Sequence, residues 1–525
     1  MMNELLKNSL IWRTVAALAA WIGRSPVGRA SAALGRRWRQ SFLYGICAKI
    51  LCAEGFAARS KTAGLLDRVN EGLWRFGQRI GPAVKGSLLY RIYALILRKG
   101  RESRTLGWLF AGGMTAILLF LLASYGALDW LLRDILPLGA LSSVWDEALM
   151  LFCLLWIVVR RLNAPRPLRS AFNSLDVYLI FYLLVGIALL TLTSRFWDIN
   201  VTGFRASMQY ILVFFLVTRL LRDERDLRLM YDTMVLLAFV FALYGIWQFV
   251  IGVEIPETWQ DRAETAVRTR VYSIFANPNI MAAYMLLFAP MAIGRAYTCK
   301  TPAAQTFFWI AGISMCLGCL FTMTRAAWMA LAIIAALFAL IVDRRLFAVM
   351  LLAGIAACFL PFVRSRIGYL FTPQFQESNA RAGRGKRWDT AFGYLDEHYA
   401  WKTGLGYGMF GGAVAAQNPI NPDYDYMYVD NYYVKILVEN GIVGLTAFLT
   451  SVVGVVWNGV RAIARSSRTG DKPLCAGMFA GLVGILIHSF FESLWEEPYM
   501  MALFFAVAGM LVFAGFLNRE KEKAV

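Results

Sequence analysis

Histidine is almost missing from this chain: His398 and His488 are the only two in 525 residues. They fall in separate segments without ligand spacing, so no zinc site is expected. Charge is scarce too, at 17% of residues against 59% hydrophobic, and the mean hydropathy is +0.54. A soluble domain of this size would need far more polar surface. Sustained strand-like alternation is absent, which argues against a barrel and leaves helices to satisfy the backbone in lipid. No cleavable leader is evident, because the short apolar stretch Val15 to Ile22 runs into Arg24 and Arg29. Gly404-Leu-Gly-Tyr-Gly-Met-Phe410 lacks the lysine of a P-loop. The eight cysteines are Cys47, Cys52, Cys153, Cys299, Cys316, Cys319, Cys358 and Cys475. None lies in a segment read as external, so no disulfide is expected. The Cys316/Cys319 pair lies inside an apolar run and reads as packing rather than a metal or redox motif.

What is present is a succession of apolar runs from about residue 107 onward, each long enough to cross ~30 Å of hydrocarbon. The pattern predicts an all-α polytopic membrane protein with about twelve transmembrane helices. The spans are 107–127, 140–159, 176–194, 204–221, 229–252, 273–295, 305–323, 325–342, 346–363, 433–457, 474–492 and 498–517. The net charge of +19 is unevenly placed: residues 1–106 hold 19 Lys/Arg against 5 Asp/Glu, or +14. The remainder sits mainly in alternate connectors, at Arg160, Arg161, Arg166 and Arg169, at Arg219 to Arg228, and at Arg295 and Lys300. Arg344 and Arg345, Arg461 to Lys472, and the tail Arg519, Lys521 and Lys523 continue the series. By the positive-inside rule both termini are cytoplasmic, and nucleic-acid binding is not expected.

Residues 1–106 form one unit and 107–525 the other. In the first, Ser9-Leu-Ile-Trp-Arg, Ser25-Pro-Val-Gly-Arg and Ser41-Phe-Leu-Tyr-Gly begin sixteen residues apart, and Ser87-Leu-Leu-Tyr-Arg echoes them. This is either a weak repeat of basic amphipathic helices on the anionic inner leaflet or chance similarity among Ala/Leu/Arg-rich helices. In the second, the outer connector 364–432 is the one large loop, and loops of that length usually carry function. Trp388, Ala391, Phe392 and Leu395 fall at helical spacing within it, flanked by Arg384 and Arg387.

Three arginines converge on the outer face in this topology: Arg270, Arg325 and Arg387. Guanidinium groups suit a diphosphate, being always charged and fork-shaped, although any one of them could simply snorkel to the interface. Asp430 stands before a helix, where a carboxylate serves as an N-cap or as a base for a hydroxyl proton, and the cap is the simpler role. His488 and Glu492, four residues apart, can meet on one helix face.

Together these motifs resemble the O-antigen ligase/polymerase (Wzy/WaaL) family of bacterial membrane glycosyltransferases, over roughly 170–517. The resemblance rests on Arg-x-x-Ser-x-Phe-x-Asn-Pro-Asn at 270–279 and Thr-Arg-Ala-Ala-Trp at 324–328. It rests equally on Arg387-Trp388 to Phe410, on Asp430-Asn431-Tyr-Tyr to Glu439-Asn-Gly-Ile-Val-Gly-Leu445, and on the segment His488 to Pro498. It implies a GT-C-like bundle of about twelve helices capped by the external loop, in the cytoplasmic membrane of a bacterium. It implies an undecaprenyl-diphosphate-linked oligosaccharide as donor, a glycan acceptor, membrane lipids and other polysaccharide-assembly proteins as partners, and neither metal nor cofactor. Arg270, Arg325 and Arg387 would hold the diphosphate and stabilise its leaving charge. Asp430 would act with Arg325 and Arg387 in catalysis, supported by Asn277, Asn279, Asn431, Glu439, His398, His488 and Glu492. Ligases of this family typically carry a histidine where this chain has Asp430, which tilts the expectation toward a surface-polysaccharide polymerase, with a ligase as the alternative. An anion or solute transporter would instead bury its ionisable groups near the midplane, and a scaffold would tolerate loss of the outer arginines.

Overall fold

The computed structural model describes residues 37 and 57, and 60–525 other than 137–138, 169–170, 256–268, 419–428, 468 and 525. The repeats at Ser9, Ser25 and Ser41, and also Cys47, Cys52, Arg169 and Arg468, lie outside the described residues. Among the described residues, two amphipathic helices come first, α1 (Lys61–Gly86) and α2 (Leu88–Glu102). The bundle follows with α3 (Gly113–Ala123), α4 (Ala140–Leu162), α5 (Ser174–Thr193), α6 (Trp197–Met208), α7 (Ile211–Leu220) and α8 (Glu224–Ile251). Next come α9 (Pro278–Thr298), α10 (Pro302–Phe321), α11 (Arg325–Ile341) and α12 (Leu346–Cys358). The large loop contains α13 (Pro361–Gly368), α14 (Pro373–Ala382) and α15 (Arg384–Glu397). Last are α16 (Tyr432–Ser466), α17 (Lys472–His488) and α18 (Pro498–Ala524). Among the described residues there are helices and no strand.

Among the described residues, eight helices are long and apolar enough to cross a membrane, or up to eleven if each of three bent pairs is one span. The expected twelve also counted α11 and α17, two shorter apolar helices outside that range. Helices α11 and α17 have 17 residues each, about 25 Å of rise and less than a full hydrocarbon thickness. The first expected span, 107–127, is broken into short pieces with a 70° bend after Ala123. The span at 346–363 bends by 82° ahead of Pro361, where the pre-proline residue resists helical geometry. Helix α9 starts at Pro278 rather than 273, because Ser273 and Ala276 take positive φ in a turn.

Helix α9 is apolar on every side, and such a helix belongs in a core. Its apolar window is 83% buried, against 33% for α4 and α5 at the rim. Helices α10 and α17 flank it, while α18 joins α7 to α16. Small residues let α17 press onto α9: a Cβ on Gly481 would stand 2.2 Å from the Leu287 carbonyl. Rim helices turn apolar side chains outward, such as Leu151, Phe152 and Leu155 on α4 and Val240, Leu243 and Trp247 on α8. An outward belt of this kind suits lipid rather than water.

Candidate functional site

The N-terminal ends of α9, α11 and α16 and the C-terminal end of α17 meet at one place, and polar residues fill it. Asn277 caps α9 by accepting from the Asn279 and Ile280 amides at 2.8 and 3.4 Å, with Pro278 at the first helical position. Asn277 is therefore spent on the backbone, and Asn279 is the side chain offered inward. Its Oδ1 accepts from Arg270 Nη2 at 3.2 Å and from Thr324 Oγ1 at 3.0 Å, while its Nδ2 donates to Glu492. Its backbone carbonyl faces His488 Nε2 at 3.3 Å. Arg270 also donates from Nε to the Thr322 carbonyl at 3.1 Å, so neutral acceptors orient this buried guanidinium.

The preceding turn is held from α8. The Gln248 Oε1 accepts from the Ser273 amide at 2.7 Å and its Nε2 donates to the Ser273 carbonyl at 3.2 Å. Next to Thr324, the Arg325 guanidinium stands over the Phe375 and Tyr369 rings at 5.3 and 5.9 Å. Buried Arg366 donates to the Met323 carbonyl at 3.0 Å. Among the described residues, four of the five non-glycine residues with positive φ, Ser273, Ala276, Met323 and Asp430, belong to these segments. Such conformations cost ~1–3 kcal/mol each and cluster where geometry serves function.

Asp430 is not the cap of α16. Asn431 fills that role, accepting from the Tyr433 and Val434 amides at 3.0 and 3.2 Å. Asp430, at φ 49°, turns toward α15, where Arg387 Nη1 donates to its Oδ2 at 2.5 Å and Arg384 Nε lies 3.9 Å away. Burial lifts the Asp430 carboxyl above the usual aspartate range, with Arg387 and then Arg384 opposing that shift. Arg384 also donates to the Phe491 carbonyl at 3.2 Å, next to Glu492. One contact chain therefore runs from Arg270 through Asn279 and Glu492 to Arg384, Asp430 and Arg387.

Glu439 and His398 lie outside that chain. Glu439 pairs with Lys435 at 3.2 Å, both buried in α16, and Lys435 reaches the half-buried Glu496 of the neighbouring segment at 2.7 Å. The expected stripe in the loop is α15: Ala391 and Leu395 are buried in a small core with Phe410, Val429 and Val438, and Trp388 and Phe392 pack on it. His398 caps the far end of α15, about 16 Å of helix rise from Arg387. Asp423 and Asp425, acidic residues of the same loop, lie outside the described residues.

Two site residues escaped the sequence reading, Gln248 and Arg366. Gln248 gave no signal, being one polar residue in an apolar run. Arg366 could have been found: between 364 and 387 the large loop carries six Arg/Lys against Glu377, an excess in a segment expected to lie on the side where cations are few.

Glu492 lies past the end of α17, and burial, reinforced by the nearby Asp430 carboxylate, pushes its carboxyl from 4.5 up to about 7. The folded protein then binds the proton more tightly than the unfolded chain does, so stability falls as pH rises from about 4.5 through about 7. Glu492→Gln keeps an acceptor for Asn279 and removes the charge. It is expected to unfold at higher temperature than the parent at pH 8, by up to roughly 3 kcal/mol, and to gain little at pH 5. Thermal unfolding at the two pH values checks this; equal shifts at both would assign Glu492 an ordinary carboxyl.

Residues 310–449 match the family model Wzy_C, described as O-Antigen ligase, and this supports assignment to the O-antigen ligase/polymerase family. The matched stretch holds Arg325, Arg366, Arg384, Arg387, Asp430 and Glu439, whereas Arg270, Asn279 and Glu492 lie outside it. No curated protein matches the chain.

Proposed function

We propose, from the O-antigen ligase/polymerase family assignment of residues 310–449, that this protein is a surface-polysaccharide polymerase. It transfers glycan from an undecaprenyl-diphosphate-linked donor to a sugar hydroxyl of a lipid-linked acceptor, at the outer face of a bacterial cytoplasmic membrane. The observation that carries the reading is the gathering of Arg270, Arg325, Arg366, Arg384 and Arg387 around one chain of contacts at one end of the bundle. Prepositioned cations of this kind stabilise charge as it develops on a departing diphosphate. Asp430 accepts the acceptor hydroxyl's proton, and the hydroxyl oxygen attacks the anomeric carbon from the face opposite the leaving group. The bond from that carbon to the diphosphate oxygen breaks, its electron pair leaves on the lipid diphosphate, and the configuration inverts. No metal enters this scheme.

Arg387 has two claimants, Asp430 and the diphosphate. Donor binding draws the guanidinium toward the phosphates and releases the carboxylate as a base, so chemistry waits for substrate. Against the transporter reading, the central helix carries no charged side chain between Asn279 and Arg295, where a midplane site would need one. The ligase reading keeps one support, the description of the matching family model.

The test is elongation of a labelled undecaprenyl-diphosphate repeat unit by the purified protein in nanodiscs, read as a gel ladder. A polymerase gives a ladder, and Arg325→Ala is expected to slow it about 10²-fold. A single transfer, seen only when a core-lipid acceptor is added, makes the protein a ligase. No transfer to either acceptor removes the enzyme reading.

A further inference from the structure

We infer that the opposite end of the bundle holds a binding site for an anionic glycerophospholipid, framed by α1 and α2. A cavity of about 2200 Å³ opens there, beyond the ~300–1,000 Å³ of a pocket for a drug-sized ligand. Along α18, Arg519 in the cavity lining is 21 residues from Pro498, or about 31 Å of helix rise from the outer end. The two sites are therefore separate.

The cavity's chemistry is divided. Among the described residues, nine Arg/Lys side chains line it against two acids, Asp67 and Glu520. Arg219 and Arg222 pair with Asp176 and Asp226 just behind the lining, which still leaves a surplus of five positive charges. Arg160 donates to the carbonyls of Leu220 and Arg219 at 2.7 and 3.0 Å, which orients it without cancelling its charge. The other wall is hydrocarbon, from Leu118, Phe152 and Leu155 to Val512, Phe513 and Phe516. Tyr93 and Trp156, with rings 5.8 Å apart, stand in the same lining, the residue types that settle at headgroup level. A basic recess continuous with an apolar wall matches a phosphate headgroup with acyl chains attached. Basic pockets between helices at the cytoplasmic end are a recognised mode of anionic-lipid capture.

Helix α1 closes the cavity by direct attachment to α4. Trp74 Nε1 and Gln78 Nε2 donate to the Ala164 carbonyl at 3.1 and 3.3 Å. Gly77 crosses so closely that a Cβ there would stand 1.9 Å from the Leu162 carbonyl oxygen. Exposed Leu65, Val69 and Phe76 on α1 and Leu88, Ile92 and Ile96 on α2 extend the apolar surface beyond the cavity. The basic N-terminal unit thus gains a role that membrane association alone does not give: it walls a lipid site in the cytoplasmic leaflet.

Native mass spectrometry of the full chain in detergent, with phosphatidylglycerol, phosphatidylcholine of the same chains, or inorganic phosphate added, tests this. Phosphatidylglycerol is expected to be retained at least about tenfold over phosphatidylcholine, since the basic lining favours a headgroup of net negative charge. The double variant Arg161→Ala/Arg461→Ala should lose most of that preference. Arg166→Ala, on an exposed connector, should weaken it without touching a helix. Gly77→Leu, which forces α1 off α4, should lower retention of phosphatidylglycerol while transfer at the outer site persists. Equal retention of the two lipids, or full preference in the double variant and in Arg166→Ala alike, would overturn the assignment. Displacement of phosphatidylglycerol by millimolar inorganic phosphate would overturn it too, as a site for free phosphate.

Discussion

Asp430→Asn is expected to slow glycan transfer by roughly 10²–10⁴-fold, with the donor's KM little changed. The substitution keeps the volume and one acceptor for Arg387 but cannot take a proton. Burial raises the Asp430 carboxyl, with Arg387 and Arg384 opposing. The parent's rate should therefore climb with pH through a value above the ordinary aspartate range, since only the ionised carboxylate can accept the hydroxyl proton. That acid limb should vanish in Asp430→Asn. Arg387→Ala should differ in kind, raising the donor's KM and lowering kcat together, because it removes a diphosphate ligand and the partner of the base. The two residues touch at 2.5 Å, so the double variant should lose much less than the product of the single losses. A loss below tenfold in Asp430→Asn, with the acid limb intact, would move the base elsewhere, and Glu492 would be the next group to test.

Much of this geometry was legible in the sequence, and what was not has physical causes. Apolar runs located the helices because every position facing lipid or core must be apolar. They could not locate the breaks, since a bend such as the one after Ala123 keeps the same composition on both sides. The amphipathic stripe of α15 was readable because a helix packed against a small core has one face to bury. Asp430 and Asn431 illustrate the limit: both residue types cap helices, and one residue of register decides which does so. The choice fell to Asn431 because Asp430 has an arginine to meet. Arg270 and Arg325 were found from motif positions, but Asn279, the group that joins Arg270 to Glu492, was recognisable only as one of two asparagines beside a proline. Contacts between residues some two hundred positions apart, such as Asn279 with Glu492, leave no periodic trace in a single sequence.

Gly441→Ala should cost roughly 4–6 kcal/mol, comparable to the whole stability of many domains. Helix α16 is interrupted at this residue, which takes φ 63° and ψ −170°, a region that essentially only glycine enters. The interruption has a use. The freed carbonyls of Val438 and Glu439 accept from the amides of Leu405 and Gly406, both at 2.8 Å. On the other side, Ile442 and Val443 donate to the carbonyls of Trp401 and Lys402 at 2.8 and 3.2 Å. Four backbone bonds thus fasten the large loop into the break, and the fit leaves no room for a side chain. A Cβ on Gly441 would stand 2.3 Å from the Lys402 carbonyl carbon, and one on Gly404 would stand 2.2 Å from that of Glu439. Strain of ~1–3 kcal/mol adds to the loss of several bonds worth ~1 kcal/mol each. Because the same loop carries α15, the damage should reach Arg384 and Arg387 and abolish transfer along with folding. Gly393→Ala is the control: it lies on an exposed face of α15 with nothing within 4 Å of its Cβ. That change should be neutral or stabilising by up to ~1 kcal/mol. Melting temperature and protease sensitivity of the loop, measured on both variants, separate the cases. A Gly441→Ala protein that melts with the parent would mean that α16 runs straight through 441 and that the loop is fastened elsewhere.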